Sequence, residues 1–311
     1  MKPAPFDYHA PADLGETLEL LAELGPEAKV LAGGQSLVPV LNMRLASPAH
    51  LVDINRVPGL DQVSITDDAV RVGALVRHAD LLAHPDARTA QPLLHQALRW
   101  VAHPVIRHRG TTVGSLVHAD PAGEMPAVLA LTDGHVVLRS TRGERAVGTD
   151  EFFVGPMESC VEADELAVEA VFGRFPAGTI TGFTETARRH GDYALAGVAL
   201  AVRLEDDGTI GTARASYVSV TEVPGVVDLS PVLQGAASAD LSARSQDLIE
   251  AVSTFVDPVD DIHATADYRR HLAAVQTVRL LTQLVDGTGD GAPERSRPST
   301  NPARPDEEVT A

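Results

Sequence analysis

Two adjacent glycines stand at the centre of Ala32-Gly33-Gly34-Gln35-Ser36-Leu37, directly after a short apolar run at residues 29–32. Glycine reaches φ > 0 and lets the main chain approach a ligand with no Cβ in the way. Successive N–H groups in such a turn form a nest for an anion. Ser36 adds a hydroxyl donor, and a helix starting near Val38 would aim its N-terminal dipole at the same point. This chemistry suits a diphosphate. Taken alone, a strand–Gly-Gly–helix turn is a purely structural device more often than not.

A second stretch, Arg109-Gly110-Thr111-Thr112-Val113-Gly114-Ser115-Leu116, again mixes glycines with hydroxyl side chains and runs on to His118-Ala119-Asp120-Pro121. It falls in a polar segment, residues 102–120, that reads as a long loop, and long loops in compact domains often carry function. Two such loops in neighbouring units can face one ligand from two sides. A third stretch, Ala187-Arg188-Arg189-His190-Gly191-Asp192-Tyr193, offers Tyr193 to a planar ring through its aromatic face and its hydroxyl. Read more plainly, it is a solvated turn with an arginine pair and a tyrosine closing the core.

Other chemistries lack their residues. There is no G-x-G-x-x-G and no Walker A sequence. The histidines at 95, 103, 108 and 118 lack metal-ligand spacing. His118 near Asp120 could pair catalytically, but a hydrogen bond within the loop is the safer reading. No serine nucleophile elbow is present. No catalytic residue and no metal ligand is therefore assigned.

The elements that must position these stretches follow from periodicity. Asp13 and Glu16 have capping-box spacing, Leu14, Leu18 and Leu21 share one helical face, and Gly25 ends the run. Residues 29–32 and 50–55 read as strands, making residues 1–56 a small β-α-β-type unit. Strands at 63–65 and 70–73, helices at 78–83 and 92–101, a hairpin at 136–138 and 145–147, and a strand at 166–172 form a second unit. The turn-rich segment 173–182 is the best boundary. Strands at 195–204 and 213–220, joined through Glu205-Asp206-Asp207-Gly208, open a third unit closed by two helices. In the second helix, Leu272, Val275, Val278, Leu281 and Leu284 recur at helical spacing. From Asp286 the chain has little to bury and reads as a disordered tail.

Composition narrows the class. The 311 residues suffice for two or three domains, and the 44% hydrophobic content is that of a soluble globular protein. The net charge of −18 argues against a nucleic-acid partner. No apolar run approaches the ~20 residues of a membrane span. No secretory signal is visible, so a cytoplasmic location is expected. Cys160 is the only cysteine, so an all-cysteine iron–sulfur site cannot be built within this chain.

Five ordered motifs carry a resemblance: AGGQSL at 32–37, LVDINRV at 51–57, VGALVRHADL at 72–81, IRHRGTTVGSLVHADPAGEMP at 106–126 and ARRHGDYALAGVAL at 187–200. Together they resemble the medium, FAD-binding subunit of carbon monoxide dehydrogenase-type molybdenum hydroxylases, a family that includes the flavin domain of xanthine dehydrogenases. The resemblance implies an α+β fold of the PCMH, vanillyl-alcohol-oxidase-like type. It has two α/β subdomains, at 1–57 and 58–175, a C-terminal α+β domain at 176–285, and the tail at 286–311. It implies non-covalent FAD on two diphosphate loops, Ala32 to Leu37 and Thr111 to Ser115. Glu124 would stand at the ribose, Tyr193 near the isoalloxazine and Leu166 as an apolar flavin contact. The molybdenum cofactor and [2Fe–2S] clusters would sit in partners: a molybdopterin-binding large subunit and an iron–sulfur small subunit, assembled as a dimer of heterotrimers. This chain would pass electrons from the clusters through FAD to an external acceptor.

The sequence departs from the family at Val113, where the second loop usually has its first glycine. If that position needs φ > 0, valine is strained. If it needs only close approach, the loop shifts and still binds. Two other classes stay open here: a stand-alone flavin oxidoreductase of the same fold, and a non-catalytic subunit that lost FAD through Val113.

Overall fold

A computed structural model of the chain describes residues 2–288. Three sheets follow one another along the sequence. The first is parallel, with β1 (Asp7–His9) and β2 (Ala28–Leu31) flanking β3 (His50–Asp53). Helix α1 (Leu14–Leu24) connects β1 to β2, and α2 (Leu37–Asn42) lies between β2 and β3. Helix α1 starts as its sequence requires. Asp13 accepts the Glu16 amide at 2.9 Å, and the Glu16 carboxylate reaches back to the Ala12 amide at 2.6 Å. This departs from a true capping box in one respect, because the glutamate takes the amide one residue before the Asp13 cap. Gly25, at φ 54°, ends the helix.

The second sheet is antiparallel. Its strands β4 (Val63–Ile65), β5 (Ala69–Gly73), β6 (His135–Ser140), β7 (Gly143–Gly148) and β10 (Leu166–Gly173) lie in the order β4-β5-β10-β6-β7. Between β5 and β6 run the helices α3 (His78–Ala83), α4 (Pro85–Ala90), α5 (Pro92–Leu98), α6 (Pro104–Arg107), α7 (Thr112–His118) and α8 (Glu124–Leu131). A short helix α9 (Thr149–Phe152) and a small ribbon of β8 (Phe153–Gly155) and β9 (Glu158–Ser159) precede β10. The third sheet is an antiparallel meander of β11 (Thr179–Ala187), β12 (Ala194–Leu204), β13 (Ile210–Val218) and β14 (Val226–Asp228). Helices α10 (Ser230–Leu233), α11 (Leu241–Phe255) and α12 (Ala266–Val285) complete the chain's described part.

Four expectations need correction. Residues 102–120 are not one long loop, because α6 and the whole of α7 lie within them. The boundary segment is shorter than 173–182, since β11 already begins at Thr179. Helix α12 exists, but its buried face is centred on Ala273, Ala274, Gln276, Thr277, Leu280, Leu281 and Leu284. Small residues there let the helix lie close to the sheet, and Thr277 bonds the buried Tyr217 hydroxyl at 3.0 Å. Finally, Asp286 caps α12, and the rest of the expected tail, from 289 onward, lies outside the described residues.

The first two sheets share one core, in which Leu21 and Val52 join Val70, Leu93 and Leu94. The third sheet is covered on both faces. Phe183, Ala199, Ala201 and Val218 turn toward that same core, while Ile180, Val198, Leu200 and Val202 pack in a second core beneath α11 and α12. This explains why β12 reads as a continuous apolar run rather than an alternating one. Polar clips fasten the joint. The Gln96 amide donates to the Thr181 carbonyl at 2.9 Å and accepts from the Thr181 hydroxyl at 3.0 Å. The Ser219 amide donates to the Pro121 carbonyl at 2.8 Å.

Candidate flavin site

The Gly33-Gly34 turn leaves β2 directly, with Gly34 at φ 73°. Val38 then donates to the Gly34 carbonyl at 3.0 Å as α2 begins. The amides of Gly33, Gly34, Gln35 and Ser36 make no hydrogen bond to any described residue, and all four residues are half-buried. A partly enclosed row of free N–H groups is an anion-binding nest.

Gly33 is pressed against the second stretch. A Cβ there would lie 2.5 Å from the Arg109 carbonyl oxygen, 2.8 Å from the Gly110 Cα and 3.0 Å from the Thr111 nitrogen. Only glycine permits that approach, so the two stretches meet backbone to backbone. Asn55 and Arg77 brace the junction. Asn55 donates to the Ala32 carbonyl at 2.9 Å, and Arg77 donates to Asn55 at 2.6 Å and to the Arg109 carbonyl at 2.7 Å. Asp53, held by the Tyr8 hydroxyl at 2.5 Å, accepts the Asn55 amide at 2.9 Å. A cleft of about 380 Å³ opens beside the turn, walled by Ala32 to Gln35, Val38, Asp53, Asn55, Ile106 and Arg109. Ligand pockets commonly span ~300–1,000 Å³. Free amides next to a guanidinium suit the negative charge of a diphosphate.

The second stretch is a helix start rather than a free loop. Thr111 is the N-cap of α7, and its hydroxyl accepts the Gly114 amide at 3.1 Å. A Cβ on Gly114 would lie 2.5 Å from that hydroxyl oxygen, so the cap itself requires glycine. Val113 lies inside α7, 2% exposed, in the core, and is not among the residues with positive φ. The strain expected for valine is therefore absent. Gly114 and Ser115 keep partial exposure, whereas Thr111 and Thr112 are buried.

The remaining predicted residues fall elsewhere. Ser36 and Leu37 begin α2, with no side-chain cap bond from Ser36. Leu166 is buried at the start of β10, opposite Arg139, and does not line the cleft. Asp120 accepts the Ala122 amide at 2.9 Å, and no hydrogen bond joins it to His118 among the described residues. Glu124 and Tyr193 gather in a second group with Asp120. Tyr193 is 72% exposed. Partial burial of its hydroxyl end, then the charges of Asp120 and Glu124, push that hydroxyl above the ordinary phenol range. Burial pushes the Glu124 carboxyl up to about 7, with Asp120 adding to the rise and Arg107 opposing it. Asn55, Arg77 and Glu185 were not singled out from sequence. The first two stand inside the motifs at 51–57 and 72–81, where a polar residue closing an apolar run is the only signal.

Residues 4–172 match the family described as "FAD binding domain in molybdopterin dehydrogenase", and residues 181–284 match "CO dehydrogenase flavoprotein C-terminal domain". The chain is 38% identical to the 6-hydroxypseudooxynicotine dehydrogenase complex subunit alpha of Paenarthrobacter nicotinovorans, over 92% of this chain and 96% of that one. It is 34% identical to the carbon monoxide dehydrogenase medium chain of Hydrogenophaga pseudoflava, over 90% and 97%. Among solved structures it is similar to quinoline 2-oxidoreductase from Pseudomonas putida 86, with a TM-score of 0.84 and 33% identity over 93% of this chain and 99% of that one. The matches cover both cores and every element that frames the cleft, and so this chain belongs to the FAD-binding medium-subunit family of molybdenum-hydroxylase oxidoreductases.

Proposed function

We propose that this chain takes electrons from [2Fe–2S] clusters in a small partner subunit and passes them through FAD to an external acceptor. Substrate would be oxidised at a molybdopterin-binding large subunit, in a cytoplasmic dimer of heterotrimers. The observation that carries the reading is the row of unbonded amides at Gly33 to Ser36, pinned against the backbone of Arg109 to Thr111. Bound FAD supplies the one- and two-electron chemistry, and the protein's part is to hold, tune and shield it.

The nest and the Arg109 side of the cleft would hold the diphosphate, with Ala32 to Leu37 on one flank and Thr111, Val113, Gly114 and Ser115 on the other. The Val113 side chain packs in the core beneath the α7 turn, so its part in holding the diphosphate would fall to its backbone amide. Glu124 would accept from ribose hydroxyls, and the exposed Tyr193 ring would cover one edge of the isoalloxazine. The lone Cys160 supports the division of labour, because clusters ligated by cysteine must come from another chain. Among the described residues no helix is long and apolar enough to cross a membrane.

The test is to purify the chain with its bound partners, record the flavin band near ~450 nm, and measure iron and molybdenum. The expected preparation carries flavin, iron and molybdenum together. A stable complex with flavin but neither metal would refute the assembly.

A further inference from the structure

Arg77, the half-buried residue before α3, bonds to both sides of the junction. One tine of its guanidinium donates to the Arg109 carbonyl at 2.7 Å, and the other to Asn55 Oδ1 at 2.6 Å. The Asn55 amide is fully used. Its Nδ2 donates to the Ala32 carbonyl at 2.9 Å and to Asp53 Oδ1 at 2.6 Å, which leaves Oδ1 to the arginine. The backbone beside Arg77 holds the second stretch as well. Arg77 and Thr111 form an antiparallel bridge, with His78 donating to the Gly110 carbonyl at 3.0 Å and Thr112 to the Val76 carbonyl at 3.2 Å. The buried His78 ring, pulled down to about 4 by that burial and so neutral, fills the space a Gly110 side chain would need and lies 3.2 Å from the Thr112 hydroxyl. These fastenings tie the second stretch to residues 76–78. Among the described residues no direct hydrogen bond joins it to the nest, so the Arg77 fork is the shortest polar link between the two. The Arg109 carbonyl that Arg77 grips is also the atom nearest to where a Gly33 side chain would stand.

We propose that Arg77 is a positioning residue for the flavin diphosphate: its guanidinium fork, through Asn55 on one side and the Arg109 carbonyl on the other, sets the separation of the Gly33–Ser36 nest from the Arg109–Thr111 backbone. The inference rests on the reading that the nest holds that diphosphate. Arg77 acts without touching FAD. Its bonded partners are neutral oxygens, and among the described residues no carboxylate is ion-paired with it. Burial, then the neighbouring charge of Arg109, pulls its guanidinium below its ordinary range, with Asp80 and Asp53 opposing. A cation kept there at that cost serves through its shape, a planar fork that reaches two acceptors at once. With the fork gone, the nest and the Arg109 side of the cleft drift apart, and the free amides no longer converge on one group.

The experiment uses the protein purified with its bound partners, stripped of flavin and titrated with FAD well below the melting temperature of each variant. Arg77→Met keeps the reach and loses both bonds. Arg77→Lys keeps the charge, but one ammonium replaces the planar fork. Asn55→Ala, at an exposed position, cuts the link on the nest side. FAD affinity should fall about tenfold in Arg77→Met, the worth of one charge-assisted bond to phosphate. Arg77→Lys should fall nearly as far, and Asn55→Ala in the same direction. Combining Asn55→Ala with either Arg77 variant should leave affinity within about twofold of the weaker single variant, because both residues act on one link. At saturating FAD, the phosphorus NMR signals of the bound diphosphate should shift in the Arg77 variants while the visible flavin band keeps its wild-type shape, a separation that general loosening of the fold would not produce. Wild-type affinity in Arg77→Met or Arg77→Lys, additive losses in the double variants, or a flavin band that changes along with the phosphorus signals overturns the proposal. If Arg77→Met does not fold, Arg77→Lys and Asn55→Ala carry the same test. Failure of the wild-type protein itself to take up FAD would instead sink the flavin reading of the site.

Discussion

Replacing Gly33 with alanine tests the junction between the two stretches most directly. The new methyl would stand 2.5 Å from the Arg109 carbonyl oxygen and 2.8 Å from the Gly110 Cα, both backbone atoms. Ordinary carbon contacts lie at ~3.5–4.0 Å, so the two backbones must part by about 1 Å. Overpacking of that size costs about 1–3 kcal/mol, which lowers Tm by several degrees in a protein this large. The 2.7 Å bond from Arg77 to the Arg109 carbonyl would stretch toward its limit. If the nest spreads enough to lose even one charge-assisted bond to phosphate, about 1.5–3 kcal/mol, FAD binds at least tenfold more weakly. Gly34→Ala is the control. Its Cβ would meet only the ends of Leu31 and Val38, at 3.1 and 3.3 Å, so its penalty is the φ of 73°, about 1–2 kcal/mol, with the junction intact. Calorimetry and flavin-fluorescence titration of both variants give the comparison. Wild-type FAD affinity in Gly33→Ala, or weaker binding by Gly34→Ala than by Gly33→Ala, would refute the backbone-contact account.

Three further outcomes are expected. Val113→Gly restores the family's residue yet should destabilise the protein by about 2–4 kcal/mol, through lost burial and a glycine inside α7; an unchanged melting temperature would mean that α7 is not a helix there. Gln96→Ala removes both clips to Thr181 and should cost about 1–3 kcal/mol, and a change under ~0.5 kcal/mol in chemical denaturation would show that the clips are idle. The folded-state value of Glu185, about 8, lies above its ordinary 4.5, so its contribution to stability is complete below pH 4.5 and is lost as pH rises toward 8. Denaturation of flavin-free protein should therefore show stability declining across that window by at most about 1.4 kcal/mol per pH unit for this group. Glu185→Gln should remove that slope and be the more stable form at pH 9; a slope unchanged by the substitution would place the proton elsewhere.

Much of this molecule was legible from local patterns. Asp13, Glu16 and Gly25 marked α1 because caps are local chemistry, and the paired glycines after a short apolar run located the nest. The second stretch was misread as a loop because Gly110, Thr111 and Gly114 carry both turn and cap signals, and a seven-residue helix has no periodicity to separate them. Strand β11 was partly hidden behind Pro176 and Gly178, which belong to the turn before it. Helix α8 is apolar on every side, and such a segment has no amphipathic stripe to reveal it. Glu185 was invisible for a different reason. A glutamate in a threonine-rich strand looks solvated until the third sheet is seen to be covered on both faces.

That double coverage has a consequence for how the protein can be divided. The two family segments meet in this chain within a few residues of Gly173, which invites a cut there. Yet Phe183 and Val218 belong to the first segment's core although they are encoded in the second. A fragment ending at Gly173 would bare the apolar face that those side chains close, and its counterpart would carry them into water. The two matched segments thus share part of one core, with their seam running through its interior.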